Sequence, residues 1–341
     1  MLNFLDRRSS LTDVRRQRGA VLIVVLWVVV ILSLLALSFA ASIRTEVDAA
    51  RVVVEQRQSR FMARAGIEYA IYEILQTQSA FFQSQSQAEL TSDSVPDVVR
   101  GNLNLSLSAG EATVEVIDET GKLNINLAPD FLIFNLLLMI GIDGAESESI
   151  TNSILDWRDA DDVPLPGGAE SAYYQSLDPP YYPKNGLFDV PEELLLVKGV
   201  TPEFYYGKKT TTSAGDPVQL YGLQHYVTTF SNINRINVNS APAAVMAAIP
   251  GLDYPTAYAI EAIREEMPVA DMSEITKRVP GISGEALNFF SILRSNVYTM
   301  ISQGRLKDSE VVSRIRAVIR VDGVGRKGYA VLYWNEGSME L

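Results

Sequence analysis

Residues 154–183, ILDWRDADDVPLPGGAESAYYQSLDPPYYP, gather six carboxylates into 30 residues. Asp156 and Asp159 stand three apart, so a helix would carry them on one face. Asp161 and Asp162 follow where such a helix runs into a Pro/Gly loop, and Glu170 and Asp178 lie on that loop or beyond it. Hard oxygen ligands on a loop suit Ca²⁺, which takes about six to eight of them, and they favour no softer metal. The spacing is not the loop order of an EF-hand. Two plainer roles stay open, acids in solvent and caps on helix ends. Paired acids also hydrolyse glycosides. No cleft signature stands out beyond Tyr173, Tyr174, Tyr181 and Tyr182, which suit packing of a long loop, so the chain is not read as an enzyme.

The remaining chemistry is sparse. With no cysteine, disulfides, thiol catalysis and Cys-ligated zinc are excluded, and the redox compartment is left undecided. His225 is the only histidine, which excludes a His-rich metal site and fits an ordinary surface or half-buried residue. Lys and Arg number 29 against 41 Asp and Glu, a net charge of -12. Such a chain repels nucleic acid unless its bases gather on one face.

The acidic loop hangs on a chain that starts in a membrane. Residues 20–43 contain no charge, and their only polar side chains are Ser33, Ser38 and Ser42. As a helix they reach about 36 Å, enough to cross a hydrocarbon core of about 30 Å. A secretory h-region is shorter and ends at a small-residue cleavage site, so this span is expected to stay in the mature chain. Arg7, Arg8, Arg15, Arg16 and Arg18 precede it. That charge keeps the N-terminus cytoplasmic and sends the bulk of the chain across. Gly19 closes the basic leader directly before the apolar run, so a cut there would leave Ala20 as a new N-terminus with the span intact. Beyond it, Ile43, Val47, Val54, Phe61, Ile67, Ala70 and Ile71 recur at helical spacing, and one helix from about 20 to 77 is expected.

The rest divides in two. Residues 79–100 are Ser/Gln-rich and read as a linker. LNLSLSAGEATVEVIDETGKLNIN then alternates apolar and polar residues, as SNVYTMISQGRL, EVVSRIRAVIRVDG and KGYAVLYWNEG do near the other end. One small antiparallel sheet is thus expected, split by an insertion over about 122–293. That insertion is duplicated. LNINLAP (123–129) recurs as INVNSAP (236–242), each followed by an apolar helix and a glycine turn, at Gly141 and Gly251. A second pair of turns falls at Gly199 and Gly281, where glycine tolerates the positive φ of a tight helix–helix connection. Two helix–hairpin–helix modules of SAM-like character are expected, the paired asparagines bonding their own backbone and capping the next helix. Helix–hairpin–helix turns often bind nucleic-acid phosphates, so a membrane-anchored DNA receptor is the alternative reading. Between residues 141 and 204 stand 13 acids and 3 bases, and Asp253 and Glu285 flank the later turns, a surface that repels phosphate.

The leader and span resemble the class III signals of type IV pilins and pseudopilins, and ARAGIEYA (63–70) is similar to the matching part of pseudopilins. Most of those carry a glutamate at the fifth mature residue; here that position is Val24. With this absence, the two N-x-N-x-A-P corners and the DWRDADD…GGAE loop, the chain resembles the minor pseudopilin K family of the type II secretion pathway over nearly its whole length. The resemblance implies a single-pass inner-membrane protein processed by prepilin peptidase between Gly19 and Ala20, its C-terminal part periplasmic. It implies a tip heterotrimer with two other minor pseudopilins, no nucleic-acid partner, and calcium at the acidic loop, with Asp156, Asp159, Asp161, Asp162, Glu170 and Asp178 as candidate ligands. A chain with Val24 offers no carboxylate to a neighbour's amine, which suits one end of an assembly. Ala20 in place of the commoner aromatic first residue departs from the general pattern. The expected fold is α+β: leader 1–19, span 20–43, helix continuation 44–78, linker and first pilin-like strands 79–121, an all-α insertion as modules 122–232 and 233–293, and last strands 294–341.

Overall fold

The computed structural model describes residues 11–85, 101–211, 217–293, 295–321 and 328–337. One helix, α1 (Leu11–Gln85), opens the chain. Among the described residues its stretch Val21–Thr77 is the only helix long and apolar enough to cross a membrane. The helix runs further than expected at both ends, because nothing in 11–19 or 79–85 breaks it; Gly19 and Ala20 therefore lie inside it, as does the start of the expected linker. The rest of that linker, 86–100, lies outside the described residues.

The far half of α1 packs on a five-stranded antiparallel sheet. Its strands are β1 (Gly101–Leu107) and β2 (Gly110–Asp118) before the insertion, and β9 (Val297–Leu306), β10 (Val312–Val321) and β11 (Tyr329–Asn335) after it, in the order β1-β2-β9-β10-β11. Strand β2 pairs with β9 across the whole insertion, from Gly110 opposite Leu306 to Asp118 opposite Tyr298. One helix face, Ala63, Ile67, Ala70, Ile71 and Ile74, closes a core with Val114, Val116, Tyr298, Met300, Ile315, Ala317 and Ile319. These spacings of three and four put one stripe on the sheet. The approach is close enough that a Cβ on Gly304 would collide with the Ala63 backbone, and one on Gly66 would press on Ser302 and Val114.

Inside the insertion follow β3 (Leu123–Asn124), α2 (Asp130–Met139), α3 (Gly144–Arg158), α4 (Ser171–Tyr174) and α5 (Pro202–Tyr206). Next come β4 (Gly207–Thr211), β5 (Pro217–Tyr221), β6 (Val227–Thr228) and β7 (Ile236–Asn237). The segment ends with α6 (Ala243–Ala247), α7 (Tyr254–Glu266), α8 (Met272–Arg278), α9 (Gly284–Leu287) and β8 (Phe290–Ser291). The insertion is therefore not all-α. A β4–β5 hairpin interrupts it, and β3 pairs with β6, and β7 with β8, in two short parallel bridges. The bridges form because each N-x-N corner is extended and meets the segment that closes its own module.

Both modules follow one plan. The backbone N–H of Leu123 and Ile125 donate to Tyr226 and Thr228, as those of Ile236 and Val238 donate to Phe289 and Ser291. The second asparagine of each corner grips a distant backbone both ways: Asn126 with Phe188 at 2.8 and 2.9 Å, Asn239 with Val269 at 2.8 and 2.9 Å. An arginine at the far end of each long helix donates to two corner carbonyls, Arg158 to Ile125 and Ala128, Arg264 to Val238 and Ala241. The four turn glycines all have positive φ, Gly141 +94, Gly199 +87, Gly251 +84 and Gly281 +98. Two residues after each stands a side chain that caps the next helix: Asp143, Thr201, Asp253 and Ser283. The corner asparagines do bond their own backbone, Asn124 Oδ1 accepting from Asn126 N–H and Asn237 Oδ1 from Asn239 N–H. They do not cap α2 or α6, whose N-caps are Pro129 and Pro242 without side-chain bonds.

A buried polar joint fixes the insertion to the sheet. Glu119, just past β2, accepts from Lys122 Nζ at 2.7 Å and from Thr299 Oγ1 on β9 at 2.8 Å. Asn237 Nδ2 reaches back to Asp118 at 3.1 Å and Thr120 at 3.2 Å. Burial by itself would raise the Glu119 carboxyl, but Lys122 and the hydroxyls hold it below its ordinary value.

Candidate metal centre

The acidic residues are held by α3 and the loop after it. Asp143 starts the helix by accepting from Glu146 N–H at 3.0 Å, and the face bearing Ile150, Ile154 and Trp157 is sealed in the insertion core. That places Asp156, next to Trp157, under the loop with no exposed surface. Its Oδ2 accepts the Ala169 N–H at 2.7 Å and its Oδ1 the Leu165 N–H at 3.1 Å, which folds the loop back over the helix end. Gly168 is required there, because a Cβ would collide with the Asp156 carboxylate. Lys198 pins the loop from the other side: Nζ donates to the Gly167 and Gly168 carbonyls at 2.9 and 3.1 Å and lies 5.1 Å from the Tyr173 ring centre.

Carboxylate oxygens of Asp156, Asp159 and Glu170 lie within 4.8 Å of one another. Two oxygens on opposite sides of a Ca²⁺ at about 2.4 Å each are separated by about that much. Glu170 decides the chemistry. It is 3% exposed, and both of its carboxylate oxygens are buried with no hydrogen-bond partner. Burial first, and then the neighbouring charges of Asp156 and Asp159, raise it to about 7, and burial likewise raises Asp156. A buried carboxylate aimed at two others and bonded to nothing is costly unless a cation sits among them. The donor set of three carboxylates, all hard oxygen, fits Ca²⁺ and leaves further positions for carbonyls or water.

The other three candidates are not brought into this group. Asp161 Oδ1 accepts from Val163 N–H at 2.9 Å in a local turn, and Asp162 Oδ1 accepts from Ser171 N–H at 3.1 Å. Asp178 is exposed and precedes Pro179 through a cis peptide bond. Tyr174 and Tyr181 do pack the loop, against Trp157 with ring centres 5.3 and 6.5 Å away, whereas Tyr182 stands in solvent. Lys198 and the Arg158 fork were absent from the sequence reading; the matching arginine at the end of each module's long helix was the available signal. His225 is half-buried and stacks on Tyr221 at 4.4 Å, and burial and Lys122 lower it to about 4.

Comparison with known proteins gives one answer. The family model for the type II secretion system protein K matches residues 102–208. A relative in Escherichia coli (strain K12), provisionally named type II secretion system protein K, is 26% identical over 200 residues, 55% of this chain and 60% of its own. The type II secretion system protein K of Pectobacterium carotovorum subsp. carotovorum is 28% identical over 208 residues, 56% of this chain and 60% of its own. The chain thus matches about 60% of the length of each. Among solved structures, the GspK–GspI–GspJ complex of the enterotoxigenic Escherichia coli type 2 secretion system holds a chain of the same fold. It has a TM-score of 0.57 at 16% identity, and the match covers 83% of this chain and 99% of that one. Over residues 102–208, which carry strands β1 and β2, the corner that opens the insertion and the acidic loop, this chain matches the type II secretion system protein K family.

Proposed function

We propose that the protein is a minor pseudopilin, anchored once in the inner membrane with its N-terminus cytoplasmic and its C-terminal part periplasmic. Prepilin peptidase would cut between Gly19 and Ala20 and leave the span in the bilayer. It would then join two other minor pseudopilins, of the kind named in the GspK–GspI–GspJ complex, at the tip of a short pseudopilus and assist export of folded proteins. The observation that carries this reading is α1: a bare apolar half of membrane length, continuous with a half that packs on a small sheet. Two features favour the tip. Val24 is apolar where a shaft subunit would hold a carboxylate, and the bulky insertion would block stacking on its own side. Each half of that insertion is read as a helix–hairpin–helix module used for packing, its turns capped by Asp143 and Asp253 rather than opened to phosphate.

Calcium at Asp156, Asp159 and Glu170 would supply no chemistry beyond charge and fastening; the loop backbone, Asp156 and Lys198 do the positioning. Assembly is tested by single cysteines at Val47 or Val54, exposed positions on α1 in a chain that has no other cysteine. Oxidation should link them to matching helix positions in the other minor pseudopilins. Links only to a second copy of this chain, or none, would reject the assignment.

A further inference from the structure

The two modules differ in one place, and the difference isolates the acidic loop. Superimposing their plan matches Arg158 to Arg264 by the corner carbonyls they hold, and Phe188 to Val269 by the asparagine that grips them. Between Arg264 and Val269 lie 4 residues; between Arg158 and Phe188 lie 29. The helices before these points agree in register. Ile154 corresponds to Ile260 and Trp157 to Ile263, all buried. Asp156 corresponds to Ala262, which is exposed. The second module therefore closes its corner, clamp and fork with a four-residue link and no acid, and the surface that Asp156 occupies beneath the loop is open there.

Every feature of the candidate metal centre falls on the extra piece or faces it. Asp159 and Glu170 are in residues 159–187, and Asp156 spends its oxygens on Leu165 and Ala169 within it. Trp157 is larger than Ile263 and meets Tyr174 and Tyr181 of the same piece.

We propose that residues 159–187 are an insert in a module that closes without them, and that the cation fastens this insert rather than the module. This rests on the metal reading above and deepens it: chelation should release the loop while the Asn126–Phe188 clamp and the Arg158 fork persist. The loop would then be a metal-dependent surface feature, present in the first module only.

The test is hydrogen exchange on the full chain in detergent micelles, with Ca²⁺ and with chelator. Removing Ca²⁺ should speed exchange at least tenfold at the Leu165 and Ala169 amides, and less than twofold at Ile125, Ala128 and Val238. Equal acceleration at Ile125 and Ala128 would overturn the proposal, because the ion would then be holding the module. A variant replaces residues 159–187 with the four residues 265–268 and adds Asp156→Ala and Trp157→Ile. It should melt cooperatively, near the calcium-free parent, and ignore Ca²⁺. Loss of cooperative melting in this variant, together with acceleration throughout the parent's first module, refutes the insert. If Ca²⁺ alters neither exchange nor melting of the parent, the metal reading and the fastening claim fail together, while the shortened variant still decides whether the loop is an insert.

Discussion

Replacing Lys122 with Met should unseat the insertion from the sheet. The Lys122 and Glu119 side chains are 6% and 1% exposed, and Glu119 has only Lys122 and hydroxyl groups such as Thr299 to hold its charge. Removing one partner of a buried ion pair costs about 3–5 kcal/mol, because the survivor is left charged without compensation. At about 2–4 °C per kcal/mol for a region of this size, Tm should fall by about 6–20 °C. The pH dependence has a definite sign. In the parent, Lys122 holds Glu119 below its ordinary value, so the pair stabilises above that value and its contribution is lost on strong acidification. Without Lys122, burial raises Glu119 above its ordinary value, so the deficit is largest at neutral pH and shrinks as pH falls and the carboxyl takes a proton. Melting of the full chain in detergent, followed by circular dichroism at pH 8 and pH 5, reads both effects. Adding Glu119→Gln to Lys122→Met should recover much of the loss. A Tm within 2 °C of the parent, or a deficit that grows towards pH 5, would refute the reasoning about this joint.

Three further outcomes follow from other contacts. Glu170→Gln should abolish stabilisation by Ca²⁺, which for an ion at a hundred times its Kd is about 2.7 kcal/mol; a melting temperature that still rises with Ca²⁺ would remove Glu170 from the site. Arg158→Met and Arg264→Met each leave two corner carbonyls without their donor, so each should cost about 1.5–3 kcal/mol in denaturant unfolding; a cost from only one would mean the two forks are not equivalent. Gly304→Ala drives a methyl into the Ala63 backbone, and proteolysis of the variant should free α1 from the sheet sooner than in the parent.

Much of this architecture was legible in the chain. The repeated LNINLAP and INVNSAP, the four turn glycines and the alternating strands at both ends located the duplication and the split sheet, because each is a local pattern with a local cause. What remained hidden depends on distance along the chain. Asn126 holds Phe188, and Asn239 holds Val269, at separations no short window contains. The bridges that make the insertion more than helical arise from the same encounters. Six acids within 30 residues pointed to a cation, but only packing separates Glu170, sealed and unbonded, from Asp161, which closes a local turn, Asp162, which holds the Ser171 amide, and Asp178, which faces solvent. The helix overran its expected limits because Gln is a good helix former and Ser a middling one, so composition alone does not stop a helix in 79–85.

The claim at the centre is that α1 remains a membrane anchor after its basic leader is removed. N-terminal sequencing of the protein extracted from the membranes of its own host reads this directly. The account predicts a mature chain that begins at Ala20 in the membrane fraction, and Met1 retained when Gly19 is replaced by Val. A native chain that begins at Met1, or a chain cut beyond residue 43 and recovered free in the periplasm, would contradict it.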